Sequence, residues 1–185
     1  MRTLLRTLAI GSLILAGTAV GPLSAGAQSS VAAAVPTCQA STLSIAPDLS
    51  SGATGHIAAE MRLLNISTQP CTMKGFATLV LLDGSRRPLP TVLSWGSRYF
   101  TIFNRPVRLV TVPPHGSAYL ALGWSHIPEP GQSCPKAPNL LILPPGASTA
   151  LLLPMGQPNP HSYGPIDACG GALAVSPVEP THFSL

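Results

Sequence analysis

The stretch Leu63-Leu64-Asn65-Ile66-Ser67-Thr68-Gln69-Pro70-Cys71-Thr72-Met73-Lys74-Gly75-Phe76 decides the fold. It begins on the end of an alternating run. Ile57, Ala59, Met61 and Leu63 alternate with Ala58, Glu60, Arg62 and Leu64, the period-two pattern of a strand with one buried face. Asn65 and Ser67 then suit a turn, because their short polar side chains bond nearby backbone groups. Cys71 offers a covalent tie from this turn to the N-terminal strand. Gly75 permits a tight start to the next apolar run, residues 76–82, which stops at the turn signal Asp83-Gly84. Asn65-Ile66-Ser67 also fits a glycosylation sequon, but such triplets are common by chance and the turn reading is preferred.

The same grammar continues in both directions. Residues 42–45, 107–112, 118–122, 140–143, 150–153 and 171–178 are short apolar runs. Pro113-Pro114-His115-Gly116 and Pro144-Pro145-Gly146 fall between runs, where a missing N–H removes no ladder bond. Beyond residue 27 no proline-free window carries a helical stripe. The pattern predicts an all-β fold: an immunoglobulin-like antiparallel β-sandwich of about seven or eight strands, stapled by disulfides.

Residues 1–27 read as a Sec-type signal peptide. Arg2 and Arg6 give the positive region, residues 8–20 are apolar, and Ala25-Gly26-Ala27 is a small-x-small cleavage site. An uncleaved anchor would need about 18 uninterrupted apolar residues, and Gly11, Gly17, Gly21 and Pro22 interrupt this stretch. No lipid-acceptor cysteine stands at the cleavage site. Residues 28–37 then read as a short linker, 38–180 as the sandwich domain and 181–185 as a C-terminal tail. Export to an oxidising space explains Cys38, Cys71, Cys134 and Cys169. Four cysteines allow three pairings. The favoured sequential one closes loops of 33 and 35 positions. A structural zinc site would need close cysteine pairs, and the chain has none.

Only 9% of residues are charged, against about 25% in ordinary soluble domains, so surface ion pairs are a minor stabilising term. Removing Arg2 and Arg6 would lower the formal charge from +4. So small a balance, on an exported chain, gives no basis for nucleic-acid binding.

The stretch from Leu63 to Phe76, together with Pro114-His115-Gly116-Ser117-Ala118 and Val178-Glu179-Pro180, resembles a family of actinobacterial secreted proteins and lipoproteins, the domain of unknown function 4232 type. Met73, Phe76 and Ala77 stand where that family usually has Leu, Tyr and Pro. The resemblance spans about Cys38 to Pro180. It implies the immunoglobulin-like sandwich with disulfides near both ends of the domain, and it supplies no catalytic residues.

The candidate binding patch lies in residues 86–108. Arg86, Arg87, Arg98, Arg105 and Arg108 occur there without an acidic residue, beside Trp95, Tyr99, Phe100 and Phe103. Guanidinium forks pair with carboxylate or phosphate, and aromatic faces stack on rings. The plainer reading is a long connection whose aromatics cap one end of the core while its arginines keep it hydrated. His56, His115, His126, His161 and His182 are scattered. With Met61, Met73 and Met155 they could serve copper, yet no pair has ligand-like local spacing and Met61 falls on an apolar strand face. Gly96-Ser97 lacks the frame of a nucleophile elbow, and Ser125-His126 are neighbours whose side chains leave a strand on opposite faces. The resulting expectation is a secreted, non-enzymatic, envelope-associated or extracellular binding module without a cofactor. Its partner would be a cell-envelope glycan, an anionic lipid or another exported protein. A copper carrier and a small hydrolase are the alternatives.

Overall fold

The computed structural model describes residues 33–155 and 164–185. The signal segment expected at 1–27, residues 28–32 of the linker, and His161 lie outside the described residues. Among the described residues there are ten strands and no α-helix. They are β1 (Leu43–Ala53), β2 (His56–Asn65), β3 (Cys71–Lys74), β4 (Thr78–Leu82), β5 (Val92–Trp95), β6 (Leu109–Val112), β7 (Ser117–Ser125), β8 (Asn139–Leu143), β9 (Leu151–Pro154) and β10 (Ala172–Val175). No helix of the described residues is long and apolar enough to cross a membrane.

The strands form three sheets. The largest has the order β1-β2-β7-β10-β5, a second pairs β3 with β6, and a third runs β4-β8-β9. Alternation sets the inner face of each. Ile57, Ala59, Met61 and Leu63 of β2 stand opposite Trp124, Leu122, Leu120 and Ala118 of β7. All eight are buried, and they join one apolar cluster with Met73 and Val110 of the second sheet and Leu79, Leu81, Leu140 and Ile142 of the third. Cys38 bonds Cys71 and Cys134 bonds Cys169, the sequential pairing.

The strand inventory gains two members over expectation. Cys71–Lys74 extends as β3, four residues too short for local alternation to register, and pairs antiparallel with β6. Val92–Trp95, inside the supposed connection, becomes β5 and pairs parallel with β10, so the largest sheet is not wholly antiparallel. A parallel neighbour needs a long crossover, and the chain from β5 to β10 supplies it. β1 also runs well past the expected 42–45. It accommodates Pro47 because it lies at the sheet edge, and the register slips there so that Asp48 is left as a bulge between Pro47 and Leu49.

The turn after β2 is built as its residues predict, with an addition. Ser67 donates its N–H and its hydroxyl to Asn65 Oδ1 at 3.0 and 2.7 Å. Asn65 is also fully buried. Its Nδ2 donates to the carbonyls of Gln69 (2.8 Å), Val112 (3.2 Å) and Pro113 (3.2 Å), joining the end of β2 to the end of β6.

Two outcomes are expected. Asn65→Ala leaves those carbonyls and the Ser67 N–H without their partner and lowers unfolding free energy by about 2–3 kcal/mol, measured by denaturant titration of the oxidised protein. Replacing Cys38 and Cys71 together with Ser lowers it by about 3–4 kcal/mol on the chain-entropy account. A midpoint unmoved by either change contradicts the role given to that group.

Candidate functional site

The largest sheet has a second face. Where β2 and β7 turn Met61 and Leu120 inward, they turn Ala58, Glu60, Tyr119, Ala121 and Gly123 outward. That outward face is covered. The chain leaving β5 folds back over it and the C-terminal residues lie alongside, burying Ala58, Phe103, Ala121 and Phe183 as a small separate cluster. Phe103 stacks on Phe100 at 5.1 Å and meets Phe183 edge-on at 6.1 Å. Gly123 makes this possible, since a Cβ there would stand 2.4 Å from the Phe100 ring.

Polar groups hold the cover in place. Asn104 accepts from the Ser97 N–H and donates to the Ser97 carbonyl, both at 2.9 Å. Ser97 Oγ accepts the N–H groups of Tyr99 (3.1 Å) and Phe100 (3.0 Å). On the other side Glu60, fully buried, fastens the tail: Oε1 lies 2.7 Å from His182 Nδ1, and Oε2 accepts the Phe183 N–H at 2.5 Å. The bulge at Asp48 sets its carboxylate 3.6 Å from the same His182 nitrogen. Arg105 lies over the Phe183 ring at 4.5 Å, and Arg105 and Arg108 both face Glu179 Oε2, at 3.8 and 3.9 Å.

Between this cover and the ends of β5 and β10 opens a cleft of about 520 Å³. Its lining includes Trp95, Arg98, Tyr99, Phe100, Trp124 and Leu173. Trp95 is 65% exposed and Tyr99 75%. Tyr99 is braced from behind by His56, stacked at 4.3 Å. Tyr99 and Phe100 also line a second cleft of about 360 Å³, bounded by His56, Ile102 and Leu185.

The predicted patch is therefore divided. Trp95, Arg98 and Tyr99 come together at the cleft, with Phe100 beside them. Phe103 lies beneath the cover, fully buried. Arg105 and Arg108 are turned to Glu179. Arg86 and Arg87 sit in the turn after β4, where Asp83 Oδ1 accepts the N–H groups of Ser85 and Arg87 at 2.8 Å; neither lines the cleft. The aromatics cap the outer face of a sheet rather than one end of the core. The chain belongs to the DUF4232 family. The family model, a domain of unknown function, matches residues 38–179. In this DUF4232 domain the matched span takes in all ten strands and the whole lining of the larger cleft. It ends at Glu179, short of the tail that Glu60 holds. No curated protein and no solved structure matches the chain.

Met61, Met73 and Met155 are buried in the main apolar cluster, and His115 and His126 are exposed. Among the described residues the one group of three ligand-type side chains is Asp48, Glu60 and His182, with ligand atoms within 4.8 Å of one another. Sequence reasoning missed Gly123, Trp124 and Leu173 as walls of the cleft, His56 as the brace, and Glu60 as the fastener of the tail. Strand parity does place Glu60 on the outer face; nothing local says that the face is covered.

Glu60→Ala should release the tail. The Phe183 N–H loses a charge-assisted bond, stability falls by about 2–3 kcal/mol, and amide exchange at Phe183 accelerates more than exchange in β2 or β7. Unchanged protection at Phe183 would show that apolar packing alone holds residues 181–185.

Proposed function

We propose that this chain is an exported, non-enzymatic binding module of the cell envelope or extracellular space, an immunoglobulin-like sandwich that binds its partner at the cleft of Trp95, Arg98 and Tyr99. The observation that carries the reading is the pair of exposed aromatic rings at the rim of a sizeable concavity. Ligand sites are concavities of about 300–1,000 Å³ with a few placed polar groups, and this one falls in that range. A large ring left in water forgoes about 25 cal/mol for each Å² it could bury. Two such rings flanking one cleft are best explained by something that covers them.

The chemistry of the lining favours holding over reacting. It offers ring faces, the hydroxyls of Ser94 and Ser125, and one guanidinium. Ser97 Oγ already accepts two backbone N–H groups. The two disulfides support an oxidising compartment. The copper alternative draws little from the packing, because the three methionines are buried in the apolar core whereas His115 and His126 are exposed.

Trp95→Ala combined with Arg98→Ala should abolish retention of the oxidised domain on envelope fractions from the producing cell and leave the melting temperature nearly unchanged. Retention equal to that of the unaltered protein would overturn the assignment of this cleft.

A further inference from the structure

We infer that the ligand of this cleft is an acidic saccharide, with a sugar ring against Trp95 and Tyr99, its carboxylate or phosphate on Arg98, and further rings passing Tyr99 toward His56. The inference rests on reading the cleft as the binding face and names the chemical class that fits it.

The aromatic groups come first. Tyr99 and Trp95 are the two most exposed large apolar side chains among the described residues, yet Tyr99 is held firmly. Its ring is stacked on His56 and its N–H is bonded to Ser97. Held ring faces carry negative quadrupolar charge and accept the weakly positive C–H side of a pyranose. The hydroxyl edge of such a ring needs exchangeable polar partners. Ser94 Oγ makes only long contacts of 3.4 Å, to the carbonyls of Gly96 and Leu173, and can turn to a ligand hydroxyl at small cost.

Charge then selects the acid. Neither cleft is lined by Asp or Glu, and Arg98 is the one charged side chain lining the larger. Among the described residues Arg98 has no ion-pair partner, whereas Arg105 and Arg108 face Glu179. An isolated guanidinium beside ring faces matches one carboxylate or phosphate bidentately. A lipid surface is read differently, by clusters of about four to eight basic residues. Here the six arginines of the described residues are dispersed: Arg62 on β2, two in the β4 turn, two on Glu179 and one at the cleft. Tyr99 and Phe100 line both clefts, so the two clefts adjoin across this pair, which suits an oligomer better than a single ring.

The test uses the oxidised full-length exported protein, with calorimetry and tryptophan emission as readouts. The probes are tetragalacturonate, its carboxyl-reduced neutral counterpart, muramic-acid-containing glycan strands, and phosphatidylglycerol vesicles. At least one acidic saccharide should bind and perturb the emission of exposed Trp95. The neutral counterpart should bind about tenfold or more weakly, and Arg98→Gln should cost the acidic ligand a similar factor while leaving the neutral one unchanged. Trp95→Ala should remove both. Equal affinity for neutral and acidic forms, or insensitivity to Arg98→Gln, overturns the acidic class. Failure of every saccharide, with or without vesicle binding, overturns the saccharide itself. Envelope retention that still depends on Trp95 and Arg98 would, in that case, leave the binding face standing, whereas loss of that dependence would remove both.

Discussion

The five-stranded and two-stranded sheets are joined at the side chain of Asn65. At this residue the chain leaves the five-stranded sheet and turns toward the two-stranded one. Its backbone is paired with the β6–β7 turn: its N–H donates to the Gly116 carbonyl, and its carbonyl accepts from His115. Its amide adds bonds to Gln69, Val112 and Pro113. One buried group thus fixes both the direction in which the chain departs from β2 and the distance to β6. The disulfide from Cys71 to Cys38 locks the far end of the same turn, where the Cys38 N–H donates to the Thr72 carbonyl at 2.9 Å. Burying an amide is tolerable only when its hydrogen-bonding capacity is used, and here both its oxygen and its nitrogen are engaged.

A sheet so anchored could have left its outer face to water, as antiparallel sheets commonly do. This one is covered, because a chain so poor in charged residues has few side chains with which to solvate that face. Small residues make the covering possible: Ala58, Ala121, Gly123 and Ala174 let Phe100 and Phe103 lie close to the strands. The cover also creates the cleft. Tyr99 projects because Phe100 and Phe103, its neighbours in sequence, are committed to packing, and because Asn104 and Ser97 close the loop between them.

Much of the frame was legible and the cover was not. Local signals worked where the physics is local: alternation in residues 57–64 gave β2 and the direction of its core face, Asn65 and Ser67 gave the turn, and proline-rich segments gave the breaks. Cys71–Lys74 and Val92–Trp95 escaped because four-residue strands carry too little pattern to stand out. Phe76 led an apolar run yet does not begin β4; it bridges to Pro177 instead. The patch at 86–108 was found by composition, which sees arginines and aromatics but not which way they face. Glu60 reaches its partner His182 across 122 positions, a separation over which no sequence window operates.

The second disulfide ties the architecture to the cleft. Cys169 begins the tight turn that leads into β10, and Cys134, within the crossover, is bonded to it. The next residue but one, Gly171, adopts φ +71°, and a Cβ there would stand 2.0 Å from the Pro90 carbonyl oxygen. Only the smallest residue lets the turn before β10 pass so close to the segment that leads into β5. β5 then runs parallel to β10 in fixed register, Trp95 opposite Val175, and Ala172, Leu173 and Ala174 form one wall of the cleft. The height of Trp95 above that wall is therefore set by the covalent tie and one glycine. In a domain this rich in turns, the cystine holds the backbone on which the exposed ring stands.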